Sequence, residues 1–187
     1  MPRAGLSPDA VVDLAVDLID HDDHAAAALT LAAVAARAGV ATPSLYKHVA
    51  SLTELRSLVS LRGWRELTEQ IADAAIGRSG EQALRGLLLA YRSYVVAHPN
   101  RYAAMQQAPL SDARTVAMGD RLMGIVLAVL RGFGLEGPAA IHAARCVRSA
   151  AHGFAVLEAG GGFGFPEDLD ASYERLIQTL IAGLRTP

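Results

Sequence analysis

The sequence is poor in cysteine, in aromatic residues and in charge. Its one cysteine, Cys146, excludes an intramolecular disulfide framework and a multi-cysteine zinc site. An alanine-rich helical pattern surrounds Cys146 and predicts a small core residue. Aromatic residues make up 5% and charged residues 19%, whereas hydrophobic residues reach 52%. This surplus of apolar side chains favours a partner subunit or a ligand cavity.

Long apolar segments are also missing. No run of eighteen uncharged apolar residues occurs, and the N-terminal segment MPRAGLSPDA has no apolar signal-peptide core. The sequence therefore predicts a cytoplasmic protein with no membrane partner.

The distribution of charge says more than the net charge of −2, which argues against a wholly basic nucleic-acid-binding protein. Residues 1–30 contain one arginine against six aspartates, whereas residues 31–65 contain five lysines or arginines against one glutamate. A local basic surface of this kind is what phosphate binding requires. We therefore expect a DNA-binding surface within residues 31–65.

Helical periodicity and helix-ending residues predict an all-α fold of about nine helices, with no strand and no internal repeat. Ser7 and Thr30 are typical N-caps, Gly39 suits a turn, and Pro43 opens a helix. The breaks include Pro99, Pro109 and the glycine-rich stretches 134–137 and 160–166. The predicted helices cover about 8–22, 31–37, 43–49, 53–75, 81–97, 99–107, 112–133, 138–159 and 167–184.

Glycines 77 and 80 mark the expected boundary between a small head and a larger body. We predict a helix-turn-helix DNA-binding domain in residues 1–52, a connecting helix in 53–77, and a ligand-binding and dimerisation domain in 78–187.

The segment Thr30–Val49, TLAAVAARAGVATPSLYKHV, has the order helix, tight turn, helix. Ala35 is small where two helices must cross closely, and Gly39 lies in the turn. Such a unit can present its second helix to the DNA major groove. The alternative is a helical hairpin that only packs.

Other sites are less favoured. The run DHDDH, Asp20 to His24, does not have a sufficient metal-ligand pattern, and GGGFGF, Gly160 to Phe165, does not have the ending of a phosphate-binding loop. The sequence contains no nucleophile elbow, zincin motif or paired catalytic carboxylates. We expect no catalytic residue, metal or cofactor, and hence no enzyme.

The run AARAGVATPSLYKHVASLTEL resembles the helix-turn-helix of the tetracycline-repressor (TetR/AcrR) family. The resemblance implies that Thr42 and Ser44 face base edges, that Pro43 contacts a thymine methyl, and that Tyr46, Lys47 and His48 hold phosphates. Thr30, which opens the second helix, completes the predicted DNA-binding set. The family commonly has lysine where this chain has Leu52, so one expected phosphate contact is missing.

The body resembles the C-terminal subtype of the family that carries a Trp-His-Gly motif (WHG-like). The similar segments are YVVAHPNRYAAM and AAHGFAVLEAGGGFGFPEDLDASYERL, although Arg148 and Ser149 stand where the subtype often has tryptophan. The resemblance implies a homodimer whose last two helices form a four-helix interface. The predicted interface residues form an apolar stripe that must be covered, with intramolecular packing as the alternative: Phe154, Leu169, Tyr173, Leu176, Ile177, Leu180, Ile181 and Leu184.

A small-molecule effector is expected to bind among the helices between the head and the interface. Amphipathic or polarisable residues are candidates for its pocket, although each also suits ordinary core packing: Tyr91, Tyr94, Met105, Met118, Leu122, His152 and Phe154. The resemblance implies a ligand-responsive transcriptional regulator, a repressor released from a palindromic operator. The competing class is a helical ligand-binding or scaffold protein whose head does not bind DNA.

Overall fold

The computed structural model describes residues 6–21, 29–107 and 113–185, and these residues form helices and loops without a strand. Nine helices follow one another in this described part, as the sequence predicts. Their bounds are α1 Pro8–His21, α2 Leu31–Ala38, α3 Thr42–Lys47, α4 Leu52–Ala75, α5 Gly80–Ala97, α6 Pro99–Gln107, α7 Ala113–Arg131, α8 Gly137–Ala159 and α9 Leu169–Arg185. The predicted break at Pro109 and the metal candidates Asp22 to His24 lie outside the described residues.

The first two helices begin at the predicted caps. The Ser7 hydroxyl accepts a hydrogen bond from the Ala10 amide at 3.1 Å, and the Thr30 hydroxyl accepts one from the Ala33 amide at 3.1 Å. Each bond satisfies an amide that has no partner within its helix. Gly39 ends α2 with φ of +66°, in the left-handed region that glycine enters without steric cost. The sequence-based prediction of these caps is confirmed.

Helix α3 differs from the predicted α-helix over residues 43–49. It is a six-residue 3-10 helix, with the Ser44 amide donating to the Ala41 carbonyl and the His48 amide donating to the Leu45 carbonyl, both at 2.8 Å. Helix α4 begins only five residues after Lys47, so the chain has no room for a longer helix here. The 3-10 helix is short, but its six residues still follow the turn as one regular segment.

The chain divides into two compact units. The first comprises the described residues of Met1–Trp64 and of Asn100–Val116, and the second those of Arg65–Pro99 and of Ala117–Pro187. The core of the first unit is an apolar cluster contributed by α1, α2, α3 and α4, which includes Ile19, Val34, Leu45 and Leu55 at 1% exposure or less. Helix α3 contributes Leu45 to this core, whereas Pro43, Tyr46 and Lys47 of the same helix are exposed.

In the second unit, α5 packs against α8 and α9 around a half-buried arginine. The Arg92 guanidinium donates two hydrogen bonds to the Glu158 carboxylate at 2.6 Å and one to Asp170 at 2.7 Å. These hydrogen bonds raise the pKa of Arg92 well above its ordinary value. The guanidinium also lies 5.6 Å from the ring centre of Phe154 and 5.0 Å from that of Tyr173. This arrangement joins three helices of the body.

The apolar stripe of α9 is divided between core and surface. Tyr173 and Ile177 are 0% exposed and Ile181 is 5% exposed within the single chain. Tyr173 donates its hydroxyl proton to the Leu88 carbonyl at 2.7 Å, and burial raises the pKa of this phenol. These three residues pack within the single chain, as the intramolecular alternative expects, and their role as interface contacts stays a prediction. The rest of the stripe is half-buried: Leu169, Leu176, Leu180 and Leu184.

The interface role of Phe154 stays a prediction, whereas the predicted core placement of Cys146 is wrong. Phe154 lies 4.8 Å from the ring centres of both Phe163 and Tyr173, so part of its surface is already covered within its own chain. Cys146 is exposed on α8, whereas the alanine-rich pattern predicts a core position. The buried face of α8 is built instead from Ala143, Ala144 and Val147, which leaves Cys146 on the other side. No helix of the described part is long and apolar enough to cross a membrane.

Candidate nucleic-acid interface

The candidate interface is the segment from α2 through the turn to α3. The Val40 amide donates to the Ala35 carbonyl at 3.0 Å and fixes the turn after Gly39, while Val34, Ala35 and Leu45 hold the two helices together in the core. This backbone path fixes the orientation of α3 on the head.

The predicted base-reading and phosphate-binding side chains occupy different environments. Tyr46 is 57% exposed, so its ring and hydroxyl are open to an external contact. Lys47 and Pro43 are exposed as well, whereas Thr42, Ser44 and His48 are half-buried. These six positions share one short helix and its C-cap, so the structure brings them onto one segment of the head.

Thr30 is the N-cap of α2 and is exposed to solvent. Its hydroxyl already accepts a bond from Ala33. Because a hydroxyl has a proton to donate as well, Thr30 can still bond a phosphate oxygen.

The basic surface is smaller than the sequence predicts. Arg37 forms an ion pair with Asp17, and the Arg62 guanidinium donates to Asp13 at 2.7 Å. Both aspartates belong to α1 and are among the six aspartates of residues 1–30. Part of the positive charge in residues 31–65 is therefore neutralised within the head.

Helix α4 begins at a capping arrangement that the sequence-based predictions do not include. The Ser51 hydroxyl accepts a hydrogen bond from the Glu54 amide at 3.0 Å, and the Glu54 carboxylate accepts one from the Ala50 amide. Ser51-Leu52-Thr53-Glu54 is the serine-x-x-glutamate signature of a capping box, so the signal is present in the sequence. This cap fixes where α4 begins next to α3.

The predicted effector-binding residues are spread over both units. Tyr91 and Tyr94 are 6% and 3% exposed on α5, and the Tyr94 hydroxyl donates to the Glu66 carboxylate at 3.2 Å. Met105 is 1% exposed in the first unit, where its carbonyl accepts a bond from the Ser60 hydroxyl at 3.3 Å. Met118, Leu122 and His152 are half-buried in the second unit.

Two open clefts lie on the second unit. A cleft of about 630 Å³ is bordered by Ser79, Phe133 and Arg185, and one of about 590 Å³ by Arg78, Arg85 and Leu89. None of the seven predicted effector-binding residues lines either cleft. The position of an effector site therefore stays a prediction.

Helices α2 and α3 form a helix-turn-helix in an all-α fold, and α3 exposes polar side chains. These features define the class of helix-turn-helix regulators. Comparison with known proteins identifies the family. Residues 84–180 match the family model described as tetracyclin repressor-like, C-terminal domain. The chain is 34% identical over 185 residues to the uncharacterized HTH-type transcriptional regulator YobS of Bacillus subtilis strain 168, covering 98% of this chain and 95% of that regulator.

The chain therefore belongs to the TetR family of helix-turn-helix transcriptional regulators. The match does not confirm the WHG-like subtype, which stays a prediction.

Solved structures share the fold. A protein of unknown function from Rhodococcus sp. RHA1 superposes with a TM-score of 0.86 at 22% identity, with 100% of both chains covered. BioQ bound to its natural double-stranded DNA operator gives a TM-score of 0.72 at 21% identity, covering 98% of this chain and 100% of BioQ. At these identities the likeness shows the shared all-α architecture.

Proposed function

We propose that this regulator binds a palindromic DNA operator as a homodimer and is a repressor released by a small molecule. The observation that carries the proposal is the exposed recognition segment of α3, with Tyr46 and Lys47 facing outward from a head built around Leu45. Phosphate contacts by these side chains fix the register, and Thr42 and Ser44 read base edges. The proposal assigns no catalytic step, cofactor or metal to the chain.

The proposed domain boundaries separate DNA binding from effector binding and dimerisation. Residues 1–52 form the DNA-binding domain, 53–77 the connecting helix, and 78–187 the ligand-binding and dimerisation domain. The operator complex of BioQ, a protein of the same architecture, supports a DNA partner for this chain.

The proposed dimer interface lies on α8 and α9. Leu169, Leu176, Leu180 and Leu184 keep part of their surface open, and Val156 and Leu157 on α8 are 41% and 50% exposed. A second copy of the chain would cover these apolar groups. Because one short α3 reads only half of a palindrome, two linked heads are needed for a full site.

The proposed effector binds in the second domain and shifts the population between DNA-binding and released states. Its candidate contacts in the second unit are Tyr91, Tyr94, Met118, Leu122, His152 and Phe154, whereas the predicted contact Met105 belongs to the first unit. Thermal-shift screening of the protein against a metabolite library identifies the effector by a rise in melting temperature. A hit must then weaken the protein–DNA complex.

A mobility-shift titration with the DNA upstream of the chain's own coding region tests DNA binding. We expect one shifted band that resists excess random duplex. Failure to shift any duplex would favour the competing proposal, a helical ligand-binding protein whose head does not bind DNA.

A further inference from the structure

The arginines of the first unit are largely occupied by one face of α1. Asp13 pairs with Arg62, Asp17 pairs with Arg37, and Asp20 holds Arg101 of α6. These aspartates lie about one helical turn apart along α1, so one helix face meets arginines from α4, α2 and α6. An arginine already paired with a carboxylate brings little net positive charge to a phosphate.

Lys47 and Arg56 are different. Both are exposed, and neither forms an ion pair with a described residue of the chain. Lys47 lies at the end of α3, and Arg56 lies in the second turn of α4. Among the described lysines and arginines of the first unit, these two keep their full charge for an external anion.

The first turn of α4 offers little to a phosphate by itself. The Ser51 hydroxyl and the Glu54 carboxylate already occupy backbone amides there, and the carboxylate adds negative charge. Leu52, the first residue of α4, packs partly against the apolar core of the first unit. A phosphate near this helix end therefore needs a side-chain cation from another position.

Arg56 is such a cation, four residues after Leu52 on α4. Residues four apart on an α-helix lie on the same face, about 6 Å apart along the axis. Arg56 thus projects from the face of Leu52, one turn further on, with a side chain longer and more versatile in hydrogen bonding than that of lysine. We propose that Arg56 is a DNA-phosphate contact and that Arg56 and Lys47 supply the counterion-releasing contacts of the first unit, while α1 keeps Arg37 and Arg62 out of this role.

The inference rests on the proposed DNA-binding function, and the salt dependence of binding tests it. The dissociation constant of the full-length protein for a random-sequence duplex is measured by fluorescence anisotropy from low to moderate salt. The variants are Lys47→Ala, Arg56→Ala and the double variant. Arg37→Ala and Arg62→Ala are matched controls, because each also removes one positive charge from the same unit.

We expect each of Lys47→Ala and Arg56→Ala to reduce the slope of log K against log salt concentration by about 0.9, and the double variant by about twice that. The two control variants should keep the wild-type slope. A wild-type slope in Arg56→Ala, or equal losses in Arg37→Ala and Arg62→Ala, would overturn this inference alone. A wild-type protein that binds no duplex even at low salt would overturn the DNA-binding proposal with it. Circular dichroism melting of every variant separates these outcomes from loss of folding.

Discussion

At the scale of single residues, Arg92 shows how a charged group stabilises an apolar body. The side chains of Arg92 and Glu158 are each 13% exposed, and the planar guanidinium meets the carboxylate through two parallel hydrogen bonds. Such paired geometry offsets the cost of removing both charges from water. Phe154 and Tyr173 add contacts to its face, so one residue links α5 to α8 and α9.

Replacing Arg92 with alanine leaves the Glu158 carboxylate largely buried without its partner. We expect Arg92→Ala to lower the free energy of unfolding by about 2 kcal/mol, measured as a lower urea midpoint at an unchanged slope. Arg85→Ala is the matched control on the same helix. Its ion pair with Glu174 is exposed, at 43% and 38%, so its loss should lower the urea midpoint much less. Equal midpoints for the two variants would contradict this account.

Two residues of α3 should affect DNA binding in different ways. Lys47→Ala is expected to weaken binding to operator and random duplexes alike, because a phosphate contact carries no sequence information. Ser44→Ala is expected to change which base is preferred at one position, with a loss of about 0.5–1.5 kcal/mol for the best site, because a hydroxyl makes a single hydrogen bond. Competition binding against a set of singly substituted operators measures both effects. A change of base preference in Lys47→Ala would refute the assigned roles.

Local signals predicted several residue placements, and long-range partners could not be predicted. The caps Ser7 and Thr30 depend on bonds within one turn, so their residue type and position were sufficient. Arg62 instead pairs with Asp13, 49 positions earlier in the chain. Charge counts along the sequence cannot show that such groups meet, and the basic surface was therefore overestimated.

At the scale of elements, the order and bounds of the helices follow from caps, glycines and apolar periodicity. Helix α3 is the exception in type, because six residues between two caps favour 3-10 winding over a full α-helix. The apolar pattern of α9 also could not predict which of its residues are buried and which stay partly exposed. A stripe at three- and four-residue steps shows which face is apolar, but the neighbouring helices decide how much of it remains open.

The turn between α2 and α3 depends on the backbone of Gly39. An alanine Cβ there would meet no atom within 4 Å, so the cost of Gly39→Ala is conformational. With φ at +66°, we expect it to lower the free energy of unfolding by about 1–2 kcal/mol. Gly124→Ala, at an open position inside α7, should raise it by about 0.5–1 kcal/mol because alanine favours helix. Urea denaturation measures both, and a stabilised Gly39→Ala would refute the strain argument.

At the scale of the whole molecule, the proposed dimer links two heads so that both half-sites are bound together. Leu176→Glu with Leu180→Glu places charge on the open part of the α9 stripe, where desolvation opposes association. We expect a monomer by sedimentation velocity and loss of operator binding, because separate heads lose their effective concentration. Leu89→Glu on α5, at a leucine that is 42% exposed, is the matched control and should remain dimeric. A double variant that stays dimeric and binds operator would place the interface elsewhere.

The central claim is that two copies of α3 read a palindromic operator. DNase I footprinting of the wild-type protein on fragments selected from genomic DNA tests it most directly. The account predicts a symmetric protected site, with half-site centres about one helical turn or slightly more apart, and the loss of this footprint in the monomeric double variant. Protection of a single asymmetric half-site, or no protected sequence at any protein concentration, would contradict it.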